Sequence, residues 1–145
     1  MSEGGEVLES VIHRWVADPE SSVVYAEQVD HRWAVRMTQS VRDATTVWWE
    51  PGQRTVRMEA YLGPVPEHAA EDLFRLLLVR NRDAWHCHFA LDREGGVVLR
   101  GRLANEVVSA ASLDALLGEC YDLIERTFPP FVRLHRRLPG HGRTH

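Results

Sequence analysis

The stretch Asp43-Ala44-Thr45-Thr46-Val47-Trp48-Trp49-Glu50-Pro51-Gly52-Gln53-Arg54-Thr55-Val56-Arg57-Met58-Glu59-Ala60-Tyr61-Leu62 reads as a β-hairpin. Thr45 to Trp49 and Arg54 to Leu62 are rich in β-branched and aromatic residues. They flank Glu50-Pro51-Gly52-Gln53, a turn with proline and glycine in adjacent central positions. On the returning strand Val56, Met58, Ala60 and Leu62 alternate with Thr55, Arg57, Glu59 and Tyr61, which predicts an antiparallel strand with one face buried. Trp48 and Trp49 are consecutive, so they point to opposite faces of the sheet. One enters the core; the other is either covered by another part of the chain or exposed.

Outward from this hairpin the same signals recur. Ser22 to Val29 and Trp33 to Thr38 are β-rich and joined at Asp30-His31-Arg32, and Trp85 to Leu91 pairs with Val97 to Leu103 around Asp92-Arg93-Glu94-Gly95-Gly96. Three segments carry helical periodicity instead. Leu8, Val11, Ile12, Trp15 and Val16 share one face of the first, which Asp18-Pro19 ends. The second begins after Pro64-Val65-Pro66, with Ala70, Leu73, Phe74, Leu77 and Leu78 as its stripe and Asn81 as its left-handed stop. The third takes Ser112 as N-cap, buries Leu113, Leu116, Leu117, Cys120, Leu123, Ile124 and Phe128, and breaks at Pro129-Pro130, with Phe131 to Leu138 a short restart. Strands grouped in hairpins and separated by single helices predict an α+β fold: an antiparallel sheet of five to six strands with three helices, in the order α-β-β-β-α-β-β-α.

Length and composition agree with this architecture. A chain of 145 residues with 44% hydrophobic and 26% charged side chains is a soluble globular domain with room for a proper core. We read residues 1–138 as a single domain. Disorder is expected in Met1 to Gly5 and in residues 139–145, a basic tail without acids. No apolar run reaches the ~20 residues of a membrane-spanning helix. The net charge of −4 argues against nucleic acid as a partner over a broad surface. The N-terminus lacks the basic and apolar segments of a secretory signal, and Cys87 and Cys120 form no close redox or metal pair, so the cytoplasm is the expected compartment.

Candidate chemistry is sparse. His86 and His88 share one strand face, as strand-borne metal ligands do, but no third ligand has matching spacing; Trp85, Cys87, Phe89 and Leu91 opposite them explain the strand as an ordinary apolar row. Neither cysteine has a catalytic context, and no nucleophile elbow or phosphate-binding glycine loop is present. Glu59 alternates with Arg57 and Tyr61 and is placed to pair across the sheet with Arg54, Arg57 or Arg100. The aromatic residues Trp33, Trp48, Trp49 and Tyr61 are the candidate partner-binding set, since exposed aromatics mark interaction surfaces.

Asp43 to Trp48, Gly52-Gln53-Arg54-Thr55-Val56 and Glu59-Ala60-Tyr61 carry a resemblance to the YbjN-like family of actinobacteria. It continues through Pro64-Val65-Pro66, Leu76 to Asn81, Val97 to Leu103 and Leu116 to Pro130. Pro51 stands where the family pattern leads us to expect leucine. The resemblance implies a fold like that of type III secretion chaperones. It also implies a protein-binding or regulatory module without catalytic activity, often a homodimer; no cofactor is expected. Gly52, Gln53, Arg54, Thr55 and Glu59 match the motif and are expected to act structurally, Gln53 through its amide and Arg54 through a carboxylate such as Glu59. The leading functional expectation is therefore a non-enzymatic module that binds a protein or peptide segment, with a homodimeric partner covering the rest of the sheet. A small-molecule sensor with a pocket between sheet and helices comes second, and a metal-dependent enzyme using His86 and His88 comes last.

Overall fold

A computed structural model describes residues 2–139. Among them the chain forms α1 (Glu3–Ala17), β1 (Val23–Val29), β2 (Arg32–Thr38), β3 (Ala44–Pro51), β4 (Thr55–Gly63), α2 (Ala70–Asp83), β5 (Cys87–Leu91), β6 (Val97–Ala104), a single 3₁₀ turn (Asn105–Val107) and α3 (Ala110–His135). The six strands make one antiparallel sheet in the order β1-β2-β3-β4-β6-β5. The fold is the expected α+β class, and Ser22 to Val29 supplies the sixth strand at one edge.

Alternation sorts each strand between two faces. Val35 and Met37 of β2, Val47 and Trp49 of β3, Val56, Met58 and Ala60 of β4, and Leu99 of β6 are buried against the helices. Leu8, Val11, Ile12 and Trp15 of α1 and Leu113, Leu116, Leu123 and Ile124 of α3 supply the facing half of the core. α2 packs against β5 and α3 through Leu73 and Leu77. Among the described residues, the other face of the sheet carries no helix.

Several boundaries differ from expectation, each for a local reason. Of Met1 to Gly5, expected to be disordered, Met1 lies outside the described residues, and α1 starts at Glu3: the Ser2 side chain accepts from the Gly5 N–H at 3.0 Å, and Gly4 and Gly5 are buried. A Cβ on Gly4 would lie 2.5 Å from Asn105 Oδ1, so glycine is what lets α1 approach the 3₁₀ turn. α2 starts later than expected, at Ala70, after a loop in which the Pro64 carbonyl lies 2.6 Å from His135 Nε2. Asn81 does not stop α2; its side-chain amide accepts from Phe89 N–H (2.8 Å) and donates to Phe89 C=O (3.1 Å), sealing the outer edge of β5. The N-cap of α3 is Ser109, with Ser112 completing a capping box three residues on.

Most notably, α3 does not break at Pro129-Pro130 but continues to His135. Proline at 130 removes the hydrogen bond that the Arg126 carbonyl would receive. Arg80 of α2 supplies a replacement, donating to that carbonyl at 3.3 Å and to Thr127 Oγ1 at 3.3 Å. The basic tail expected at residues 139–145 lies, beyond Pro139, outside the described residues.

Candidate functional site

Trp48 and Trp49 divide as their adjacency requires. Trp49 is fully buried and stacks at a tilt on Trp15, 5.6 Å between centroids. Its indole N–H has no acceptor within the core. Trp48 points to the helix-free face, half-buried beneath the Arg32 guanidinium, which lies 4.3 Å from its ring centroid. Trp33, expected as a surface anchor, is a core residue with an edge contact to His13, because β2 presents its odd-numbered residues inward. Tyr61 is 51% exposed on the open face. Of the four aromatic candidates, Trp48 and Tyr61 stand at the surface, and Trp33 and Trp49 leave the partner-binding set.

The turn motif is held by its backbone. Gly52 N–H donates to the Thr55 carbonyl at 2.8 Å. Asn105 then fastens the whole turn: its side-chain N–H₂ reaches the carbonyls of Gly52 (3.2 Å) and Gln53 (2.9 Å), and its own N–H reaches the Arg54 carbonyl at 2.8 Å. Glu59 pairs with Arg100, directly opposite on β6, at 3.2 Å, and not with Arg54. Asn105 was not singled out in the sequence; nothing short of its position just after the last strand marks it.

The open face holds a groove of about 720 Å³ whose lining includes Trp48, Arg57, Glu59, His86, His88 and Arg102. His86 and His88 therefore face this groove, as their alternation requires. Among the described residues no group of three or more His, Cys, Asp or Glu is placed to hold a metal ion. Trp85 does not share the inward row with Cys87 and Phe89; it precedes β5 and is 81% exposed. The cause is Glu119 on α3, whose carboxylate accepts the N–H groups of Trp85 (2.9 Å), His86 (2.6 Å) and Cys87 (2.8 Å) and thereby turns the chain before the strand begins. Partial burial raises the Glu119 pKa, but the three backbone N–H donors outweigh it and hold the carboxyl below the ordinary range.

A second glutamate on α3, six residues on, repeats the device for another loop. Glu125 receives Gln39 Nε2 (2.7 Å), Ser40 N–H (2.8 Å) and the Ser40 hydroxyl, pinning the β2–β3 loop. Arg42, from the same loop, donates to Thr45 Oγ1 and to the carbonyls of Tyr61 (2.9 Å) and Leu62 (3.0 Å) while lying over Phe128. Both thiols are free and buried, and burial pushes their pKa values up, Cys120 to about 12, so neither is an activated nucleophile.

A second surface was hidden in the sequence. Phe74, Leu78 and Val79 of α2 line an exposed groove with Glu71, Arg75 and Arg82, and Leu78 is 70% exposed. Leu73 and Leu77 face the core, so the apolar stripe of α2 is too wide for one partner. Leu76-Leu77-Leu78-Val79 sweeps most of the way around a helix, which requires that some of it face outward.

The comparisons with known proteins can be set against this geometry. The model of the family described as "YbjN: Putative bacterial sensory transduction regulator" matches residues 10–133. The chain belongs to the YbjN family. An uncharacterised protein of Mycobacterium tuberculosis is 32% identical over 83 residues, 57% of this chain and 45% of that protein. An uncharacterised protein of Mycobacterium leprae is 30% identical over the same shares. The match thus spans less than half the length of these relatives. Among solved structures, a chain of the HopA1–SchA chaperone–effector complex superposes with a TM-score of 0.61, covering 89% of this chain and 98% of its own, at 11% identity. A chain of the heterodimeric ExoU–SpcU complex from the type III secretion system of Pseudomonas aeruginosa gives 0.60, covering 86% and 97%, at 16% identity. At such identities the likeness is one of fold: this YbjN-family domain has the type III secretion chaperone architecture. Among the described residues no helix is long and apolar enough to cross a membrane.

Proposed function

We propose that this YbjN-family domain is a non-enzymatic module that binds a protein or peptide segment, and that it works as a homodimer in the cytoplasm. The observation that carries the proposal is the apolar strip of α2. Phe74, Leu78 and Val79 lie outside the core, on a helix whose inner face is already satisfied by Leu73 and Leu77. Exposed apolar ridges of this kind mark protein contacts. The strip also moves the expected dimer contact. The helix-free sheet face is rich in charge, so a two-fold partner is better accommodated on α2, leaving the sheet face for a different ligand.

The shared architecture supports the same reading, since one matched fold comes from a chaperone–effector complex and another from a heterodimeric complex of a type III secretion system. The free, buried thiols suit a reducing compartment. The sensor alternative placed a pocket between sheet and helices; that space is filled by Trp49, Met37, Met58 and Leu116, and the large groove lies on the opposite face.

Light scattering coupled to size exclusion tests the proposal. The wild type should elute as a dimer, and Leu78→Asp, which places a charge on the strip without touching the core, should elute as a folded monomer. A monomeric wild type, or a Leu78→Asp dimer, would overturn the homodimer and its contact at α2.

A further inference from the structure

On the open face, Arg57 of β4 stands directly opposite Arg102 of β6, both exposed. Like charges directly opposed across a sheet are destabilising, so the pairing asks for an explanation. Neighbouring charges show what a satisfied rung looks like: one rung along, Glu59 faces Arg100 and they pair at 3.2 Å. Glu50 sits across from Arg57 on β3, but its carboxylate is engaged by His31 Nε2 at 3.2 Å. Among the described residues neither Arg57 nor Arg102 has a carboxylate within ion-pair distance. Both line the groove of about 720 Å³, together with His86, Trp48 and Glu59.

We propose that this groove binds an extended acidic peptide segment, with two carboxylate side chains on Arg57, Arg102 and His86 and an apolar side chain against Trp48. The spacing fits. Cys87 is paired with Gly101, so His86, the residue leading into β5, falls beside Arg102, and the three groups lie on β4, on β6 and at the entry to β5. Three adjacent strands span about 10 Å, and same-face side chains two residues apart on an extended segment are about 7 Å apart. Two such carboxylates therefore reach across the row. Guanidinium groups bind carboxylates through paired hydrogen bonds, which an ammonium could not reproduce.

The groove also carries the carboxylates of Glu50 and Glu59. They repel a continuous phosphate backbone, but they accept hydrogen bonds from the backbone N–H groups of a peptide. The net charge of −4 acts in the same direction against a long polyanion. This assignment deepens the binding-module reading and rests on it for the class of partner; it does not depend on the dimer contact at α2.

Fluorescence anisotropy on the full chain tests it, with a short labelled peptide of alternating Glu and Thr bearing one central Phe. Controls are the same peptide with Gln for Glu and an oligothymidylate of similar length. The acidic peptide should bind the wild type, weaken as salt is raised, and bind the double variant Arg57→Ala/Arg102→Ala about tenfold more weakly or worse. Removing two opposed like charges leaves the fold intact, which the unfolding midpoint verifies. Equal binding by wild type and double variant, equal binding of the Gln peptide, or tighter binding of the oligothymidylate would each overturn the assignment. If it fails while the wild type is dimeric and Leu78→Asp monomeric, only the groove's ligand has been misassigned; a monomeric wild type that still binds the acidic peptide removes the α2 contact and keeps the groove.

Discussion

Ala26, Val35, Val47, Ala60, Leu99 and Phe89 form one rung across all six strands. One residue along each strand, Glu27, Ala34, Trp48, Glu59, Arg100 and His88 form the next, pointing the other way. The two rungs share backbone, hydrogen bonds and neighbours, and differ only in which side of the pleat their side chains take. The first is apolar and packs on α1 and α3; the second mixes charge with one large aromatic and faces solvent. The covered rung makes the domain stable, and the open rung carries the groove proposed above to bind an acidic segment. Side-chain alternation thus lets one sheet perform two tasks that would conflict on a single surface.

The sharpest way to break this division is at the covered face. Trp49→Ala should destabilise the domain by about 3–5 kcal/mol, read from the shift in denaturant midpoint, since it empties the largest fully buried side chain. A loss below about 1 kcal/mol would mean that the two faces are not energetically distinct.

A smaller effect is expected where α3 secures Trp85, His86 and Cys87 at the entry to β5. Glu119→Gln keeps the shape but gives up a charged acceptor for three backbone N–H groups, and should cost about 1–3 kcal/mol near neutral pH. The pH dependence follows from the sign of its shift. A carboxyl held below its ordinary range contributes stability that is present above the unfolded pKa and is lost as pH falls through the folded one. The gap between wild type and Glu119→Gln should therefore narrow as the pH drops below about 4. A constant gap across that range would show that the carboxylate charge plays no part.

Much of the fold was legible because the hairpin 43–62 alternates cleanly and because turn residues punctuate every strand pair. What escaped was decided by contacts distant in sequence. Pro129-Pro130 reads as a helix breaker, and only Arg80, forty-six residues earlier, meets the carbonyl that makes continuation tolerable. Trp85 reads as the first inward residue of a strand, until Glu119 captures the three N–H groups that turn it out. The candidate site was half legible. Adjacency required one of Trp48 and Trp49 to face away from the core, and alternation put His86 and His88 together. Trp33 was misplaced although its own strand marks its side: it alternates in step with Val35 and Met37, against Arg32, Ala34 and Arg36, and is buried with them. The opposed pair Arg57 and Arg102 depends on register, which no local pattern discloses.

The smallest expected change in stability belongs to Trp48→Ala, and it is also the most direct test of a division of labour between the faces. Unfolding and acidic-peptide binding would be measured on the same preparation of this variant. The unfolding free energy should stay within about 1 kcal/mol of wild type, because only a half-buried ring and its contact with Arg32 are lost, while peptide affinity should fall about tenfold or more. Unchanged binding together with a loss of stability as large as that of Trp49→Ala would contradict it, placing Trp48 in the framework of the domain and leaving the open face without a role.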